Sequence, residues 1–389
     1  MEDSKKIKLG DLYEVHNGLS KGRQFFGKGF PFLTFSNVFN NWFLPNELDS
    51  LVETTEKERE ACSIKRGDVF ITRTSETMNE LGMSSVALRD YPNATYNGFT
   101  KRLRPKTDLV VPEYIGYYLR SPKFRGKFMA FSSMTTRASL ANADLLGMEV
   151  ELPSMEVQNK IATILSRYDD LIENYQKQIR LLEEAAQRLY KDWFVDLHFP
   201  GYENVQVVDG VPEGWEKKNI DDVYQIKYGK NLSTKEIFSV GEFPVYGANG
   251  IIGFYDKKNC NECVVLITSR GNGSGDVSMT YEKECFVTNN SFIVRPLRDY
   301  EYCGLPYIFE SLRMVNFRSV RTGAAQPQLT NASIHHLNII IPAKELIVKY
   351  CRNIEGSYEQ IRNLKHQLRL LTEARNRLLP KLMSGEIAV

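Results

Sequence analysis

No run of about eighteen apolar residues occurs in the 389-residue chain, so no membrane-spanning helix is expected. Met1 to Val15 carry charges where a secretory signal peptide needs an apolar core, which points to the cytoplasm. Cysteine is scarce, six in all, and reduced, mostly buried thiols are expected rather than a disulfide framework. A surplus of either charge is also missing: 50 Lys+Arg against 48 Asp+Glu leave +2. That balance excludes a basic nucleic-acid coat and an acidic tail protein, and by itself gives no hint of DNA. At 42% hydrophobic and 25% charged, the chain is too apolar for disorder and long enough for two or three domains with real cores.

Catalytic signatures are absent too. There is no Walker A sequence, no His-Glu-x-x-His and no Gly-x-Ser-x-Gly. An adenine methyltransferase carries an Asn/Asp-Pro-Pro-aromatic tetrapeptide, and this chain has no Pro-Pro dipeptide; a Pro-Asp…Asp/Glu-x-Lys nuclease lacks its Pro-Asp here. Gly271-Asn272-Gly273-Ser274-Gly275 follows a strand-like run, but a second strand-like run, Val277 to Tyr281, follows it where a phosphate loop needs a helix. It reads as a hairpin turn. Cys260-x-x-Cys263 with Cys285 and Cys303 has the residue types of a zinc site, but the first half of the chain has no equivalent thiols. No metal or catalytic residue is assigned.

What the chain does have is an internal repeat. Leu140-Ala141-Asn142-Ala143 matches Leu329-Thr330-Asn331-Ala332 at an offset of 189, and the same offset carries Pro153 onto Pro342, Ile172 onto Ile361 and Arg180-Leu181-Leu182 onto Arg369-Leu370-Leu371. It also carries Glu184-Ala185 onto Glu373-Ala374 and Arg188-Leu189 onto Arg377-Leu378, with no gap from Leu140 to Phe194. Upstream the match is weaker and gapped: Leu9, Asp11, Val15, Gly18 and Pro31 answer to Ile220, Asp222, Ile226, Gly229 and Pro244, and Val69–Thr72 to Val265–Thr268. Two divergent heads therefore alternate with two well-matched segments: 1–153, 154–199, 200–342 and 343–389. Matched segments imply a shared structural job, and divergent heads imply different targets.

The matched segments have heptad spacing. Ile161, Leu165, Tyr168, Ile172, Tyr175, Ile179, Leu182, Ala186, Leu189 and Trp193 recur at alternating steps of four and three. In the second copy, Tyr350, Ile354, Ile361, Leu364, Leu368, Leu371, Leu378 and Leu382 keep that register, broken by Ser357 and Arg375, polar seam positions of the kind that fix register. Each segment predicts a helix of roughly 35 residues, about 50 Å long, the second ending at Pro380. The two can pair antiparallel within one chain or mediate a homodimer. The heads mix short β-branched and aromatic runs with Gly/Asn turns, and one helix each is expected near Pro112–Arg120 and Pro306–Val315. Tyr202 to Gly214 reads as a linker. The fold class is α+β: two divergent mixed α/β domains separated by a long antiparallel two-helix coiled coil, in a pseudo-two-fold internal repeat.

Local charge suggests where nucleic acid could be held. Lys101, Arg102, Arg104 and Lys106 form an acid-free run, and so does Arg120 to Arg137 with Arg125 and Lys127; in the second head Arg313, Arg318 and Arg321 lie on an acid-free stretch. Bases are read by Arg, Asn, Gln and small hydroxyl side chains on loops. Candidates are Thr72-Arg73-Thr74, Thr135-Thr136-Arg137, Ser269-Arg270, Asn249, and Thr322 with Gln326 and Gln328. Each has a plainer reading as a solvated face or a turn-forming polar residue.

Several motifs, taken in order, resemble the specificity subunits of type I restriction–modification systems. They are Leu152-Pro153…Val157-Gln158, Val211-Pro212-Glu213-Gly214-Trp215, the Thr322 to Leu329 segment, and Leu378 to Gly385. The resemblance spans essentially the whole chain. It implies two target-recognition domains reading the halves of a split, asymmetric double-stranded DNA sequence, with the helices as spacer and as docking surface for two methyltransferase subunits. Motor–nuclease restriction subunits would join that core. Adenine methylation, S-adenosylmethionine, ATP and Mg²⁺ would belong to those partners, and this chain would be no enzyme. The second copy departs from the Pro-x-x-x-x-Gln pattern, having Ile347 where the first has Gln158, and the loops before Leu140 and Leu329 differ. A coiled-coil adaptor with two protein-binding heads is the alternative reading.

Overall fold

The computed structural model describes residues 4–75, 81–131, 138–139, 141–323 and 326–389. It contains two compact units, Met1–Ile172 with Leu370–Val389, and Glu173–Arg369. Each unit thus combines one head with part of both long helices.

Unit 1 runs β1 (Lys5–Lys8), α1 (Leu9–Leu12), β2 (Tyr13–Asn17), β3 (Phe26–Leu33), α2 (Phe35–Asn40), β4 (Leu51–Val52), α3 (Glu56–Ala61), β5 (Val69–Thr72) and β6 (Thr74–Ser75). It continues with β7 (Ser84–Val86), β8 (Thr95–Tyr96), β9 (Thr100–Pro105), α4 (Pro112–Arg120), α5 (Pro122–Phe131), β10 (Ala138–Ser139), α6 (Asn142–Gly147), β11 (Glu149–Leu152) and α7 (Met155–Phe194). Unit 2 adds β12 (Val207–Val208), β13 (Val211–Pro212), β14 (Glu216–Asn219), α8 (Ile220–Val223), β15 (Tyr224–Tyr228), β16 (Phe243–Gly247) and β17 (Gly250–Tyr255). After these come β18 (Val265–Thr268), β19 (Val277–Met279), β20 (Phe286–Val287), β21 (Ser291–Pro296), α9 (Leu305–Arg313), α10 (Asn331–Ile334), β22 (Asn338–Ile341) and α11 (Lys344–Ser384).

The heads share one plan. Unit 1 has sheets ordered β2-β9-β5-β7, β4-β3-β8 and β1-β11; unit 2 has β15-β21-β18-β19, β17-β16-β20 and β14-β22. Parallel pairs Phe32↔Thr95 and Val245↔Phe286 occupy corresponding places, which puts Pro31 and Pro244 in register. Bridges Leu19↔Asn97 and Lys230↔Thr288 do the same for Gly18 and Gly229. The weak upstream match is therefore structural equivalence. Each head holds more helices than the one expected: α4 stands with α5 and the short α1, α2, α3 and α6, and α9 with the short α8 and α10, while the expected linker at 202–214 contains the β12–β13 hairpin.

The long helices are 40 and 41 residues, about 60 Å each rather than 50 Å. Pro380 lies inside α11. It withholds the N–H that the Asn376 carbonyl would accept, yet Leu379, Leu382 and Met383 are buried in the unit 1 core with Ile161 and Leu165, and that packing carries the helix on to Ser384. Within each unit the helices pair antiparallel. In unit 1, Asp169 meets Arg375. In unit 2, Ile179 packs with Ile361 and Leu364, with Tyr175, Leu182 and Leu368 alongside, and Lys365 Nζ lies 2.8 Å from Glu183 Oε1.

The heptad seam faces inward throughout, every member being buried or half-buried, including Tyr168, Ile172, Leu189, Leu371 and Leu378. At the ends the apolar face widens onto the heads. Phe194 packs on Tyr350, Tyr307 and Trp215 with ring centroids 5.2, 5.5 and 6.0 Å apart, which gives the Val-Pro-Glu-Gly-Trp motif a core role. Buried Gln158 ties α7 to its head: its amide donates to the Leu109 and Pro153 carbonyls and accepts from Val111 N at 2.9 Å. Ile347, its counterpart, is fully buried among apolar side chains, so the two copies solve one junction by hydrogen bonds and by packing.

Candidate nucleic-acid interface

In unit 2 three loops converge. β18 ends at buried Thr268, whose Oγ1 donates to the Ala248 carbonyl at 2.9 Å and so holds the β16–β17 turn that exposes Asn249. Buried Ser269 follows, its N–H donating to Asn290 O and its carbonyl accepting from Leu329 N, both at 2.8 Å. Arg270, next along, is exposed and forms an antiparallel bridge with Gln328. Thr322 and Gln328 exchange backbone hydrogen bonds of 2.8 and 2.9 Å, closing a loop that turns at Gly323, φ +84°. A Cβ at Gly273 would come within 3.5 Å of Asn249 Oδ1, which places the 271–275 turn against the Asn249 turn. β18–turn–β19 is the expected hairpin.

The exposed side chains on this face are Asn249, Arg270, Thr322, Gln326 and Gln328. Arg318 stands at its edge, 2.9 Å from Asp276 Oδ1 in an open ion pair. Two candidates have other work. Ser269 Oγ donates to Asn289 O, and Arg321 donates to the carbonyls of Asn272 and Ser274, bracing the turn. Geometry adds Lys230, whose N–H donates to Val287 O while its carbonyl accepts from Asn289 N, and Asn290. An Asn-Asn pair just before a strand was the available sequence signal.

The unit 1 face has the same frame. Arg73 N donates to Phe99 O at 3.0 Å, and Gly82 N to Thr72 O at 3.1 Å, as Ser269 N and Gly275 N do in unit 2. β6 pairs with β10 where Arg270 bridges Gln328, so Thr74 answers to Arg270 and Ser139 to Gln328. Thr72 is fully buried and accepts from Met83 N at 2.9 Å, which removes it from the face. Arg73 is half-buried, its guanidinium donating to Gly98 O at 3.3 Å. Thr135, Thr136 and Arg137 lie outside the described residues.

Most of the described basic side chains in the unit 1 runs have partners within the fold. Lys101, Arg102 and Arg104 lie on β9, an inner strand of its sheet. Lys101 is buried and bonds Asn142, and burial, with Arg73 nearby, holds its amine below the usual lysine value. Arg102 donates to Ser63 O at 2.6 Å. Arg104 grips the buried Asp68 with Nε and Nη2 at 2.8 and 2.6 Å, and that hydrogen-bonded pairing raises its pKa. Arg125 donates to Leu81 O at 2.7 Å. Lys127 and Lys123 clamp Glu151 at 2.8 and 2.6 Å. Arg120 caps the carbonyls of Ser84, Val38, Phe39 and Asn41, and burial, then Arg125, lowers it to about 10.

No group of three or more His, Cys, Asp or Glu positioned for a metal occurs among the described residues. Cys260 and Cys285 face each other across an antiparallel bridge in one small core, Cys303 sits in another, and Cys263 turns to Tyr281 O. No helix among the described residues is long and apolar enough to cross a membrane.

A family model described as the type I restriction modification DNA specificity domain matches residues 1–184 and 212–368. That is most of the chain. It belongs to the type I restriction–modification specificity family. Among curated relatives, the MjaIX specificity subunit of Methanocaldococcus jannaschii is 29% identical over all of this chain and 94% of its own length. The HindI specificity subunit of Haemophilus influenzae is 25% identical over the full length of both. The fold is shared with the S subunit crystal structure from M. genitalium, with a TM-score of 0.60 and 17% identity over 98% of this chain and 96% of that one. As a specificity subunit the chain is a DNA-recognition component acting with other subunits, and not itself an enzyme.

Proposed function

We propose that the two heads read two different half-sites of a split DNA target, and that the two long helices each dock one copy of the same methyltransferase subunit. One contrast carries this reading. The hydrogen-bonded frame of the two faces is common, while the side chains displayed on it differ: Arg270, Gln328, Thr322, Gln326 and Asn249 in one head, Arg73 and Phe99 in the other. On the helices the outward residues repeat instead. Leu181, Ala185 and Arg188 of α7 are exposed, and so are their identical counterparts Leu370, Ala374 and Arg377 of α11. The ion pair Glu184–Arg188 recurs as Glu373–Arg377. An exposed leucine kept in both copies adds nothing to its own core, which supports a docking job done twice.

Arg270 suits guanine, and Gln328, Gln326 and Asn249 suit adenine. Modest half-site affinities held in one chain reinforce each other through effective concentration. S-adenosylmethionine would be held by the methyltransferase subunits, ATP and Mg²⁺ by motor–nuclease subunits, all in the cytoplasm. The test is to map methylated adenines in the host with and without this gene, then with Arg270→Ala and Gln328→Ala. Each variant should relax one half-site about 5- to 100-fold and leave the other unchanged. A methylation map indifferent to the chain, with heads that retain proteins rather than DNA, overturns the reading in favour of the adaptor.

A further inference from the structure

We propose that Phe99 is a specificity-determining residue of the first head, reading a thymine through its C5-methyl group; this rests on the assignment of the loop face to DNA. Phe99 is 64% exposed, the most open phenylalanine among the described residues. An exposed aromatic on a mobile loop would mean little, but this loop is tied down at each step. Gly98 N donates to Leu19 O at 2.8 Å, Phe99 N to Asn97 Oδ1 at 2.7 Å, Thr100 N to Asn97 O at 3.1 Å, and Phe99 O accepts from Arg73 N. Gly98 allows the close approach, since a Cβ there would meet Ser20 Oγ at 2.5 Å. The ring is presented, not merely uncovered, and a preorganised apolar contact loses little entropy on binding.

The repeat says what it is presented to. β9 and β21 begin at Thr100 and Ser291, and Arg73 N–Phe99 O corresponds to Ser269 N–Asn290 O. Phe99 is therefore the counterpart of Asn290. One backbone position, on the same hydrogen bonds, offers an amide in one head and an apolar ring in the other. An amide at a DNA face suits adenine, and an apolar side chain suits the one apolar feature of the major groove, the thymine methyl. Phe26 carries the apolar surface on, since it and Phe99 both line a cleft of about 490 Å³ that also takes in Asn97 and Leu51. Two heads that differ at this position read different bases without any change of frame.

The experiment uses the methylating complex that co-purifies with the full chain, and a duplex carrying its mapped target. Each thymine is replaced singly by deoxyuridine, which removes only the methyl group. The half-site read by the first head is the one that Arg270→Ala leaves unchanged. With wild-type protein, one thymine there should lose about fourfold in affinity on replacement, the worth of one buried methyl-sized group. Phe99→Ala should abolish that sensitivity and no other, Phe99→Leu should keep part of it, and Asn290→Ala should affect only the other half-site. The proposal is overturned if the sensitivity survives Phe99→Ala, if no thymine in that half-site responds, or if Phe99→Ala weakens binding without changing any thymine effect. Should Arg270→Ala and Gln328→Ala also leave sequence preference intact, it is the DNA assignment of the face that fails; should they shift it while Phe99 does not, only the present inference fails.

Discussion

Asp169 on α7 is the acceptor for two partners. Its Oδ2 receives the Tyr117 hydroxyl of α4 at 2.6 Å, and its Oδ1 faces the Arg375 guanidinium of α11. Tyr117 is buried, the Asp169 and Arg375 side chains are 24% and 14% exposed, and Arg375 lies 5.2 Å from the Trp42 ring centroid. Asp169→Ala leaves a largely buried cation and a buried hydroxyl without their acceptor. For a fully buried pair that costs about 3–5 kcal/mol; discounting for the exposed quarter of Asp169 leaves about 2–3 kcal/mol. A unit of this size responds with about 2–4 °C per kcal/mol, so its calorimetric transition should fall by about 5–10 °C. Asp169→Asn keeps an acceptor but no charge, and should cost about half as much. A double-mutant cycle with Arg375→Ala should return a coupling above about 1 kcal/mol. If Asp169→Ala costs under about 0.5 kcal/mol, or the cycle shows no coupling, the polar seam position does not hold head 1 to its helices and the reasoning is refuted.

Two further outcomes follow from titrating groups. Glu151, held by Lys123 and then Lys127, has its carboxyl lowered to about 2; its stabilisation is present above the ordinary glutamate range and lost as pH falls through about 2. Lys123→Ala with Lys127→Ala should cost about 1–2 kcal/mol at pH 6, after discounting for lysines about a third exposed, and only a small fraction of that at pH 2 in urea unfolding, with DNA affinity unchanged. Glu310 is the opposite case: burial, only partly offset by Arg313, raises its pKa. Its favourable contribution is complete below the ordinary glutamate pKa and is lost as pH rises through the raised one, so Glu310→Gln should gain stability relative to wild type at pH 8 compared with pH 4.

Much of this architecture is legible in the residues, because the 189-residue offset and the heptad seam are local patterns. Val69–Thr72 and Val265–Thr268 take corresponding strands, and Gly18 and Gly229 corresponding positions between a strand end and a bridge. The basic runs misled for a physical reason: an acid-free window says nothing of partners brought in by folding. Arg104 is neutralised by Asp68, 36 residues away, and Lys127 by Glu151, 24 away. Asn249 is exposed because it stands on a turn, whose backbone turns polar side chains outward. Phe99 went unread because an apolar residue beside a strand looks like core.

The places where the offset fails carry information as well. α4 and α9 align with Tyr114 on Tyr307 and Leu119 on Leu312, which sets Tyr117 against Glu310, and the 189-residue shift sets Asp169 against Tyr358. Taken singly, these are two mismatches. In the folded units they are one contact written both ways round: in unit 1 the head supplies the hydroxyl and the helix the carboxylate, Tyr117 to Asp169 at 2.6 Å, and in unit 2 the helix supplies the hydroxyl and the head the carboxylate, Tyr358 to Glu310 at 2.9 Å. Both contacts are satisfied only in the native assignment of head to helix. Placed on the wrong stretch, Glu310 would face Asp169, two carboxylates in a partly desolvated site, and Tyr117 would face Tyr358 with no anion to accept from either. The heads have diverged in what they display, and the junctions beneath them have diverged in step, so that each head is matched to its own stretch of helix.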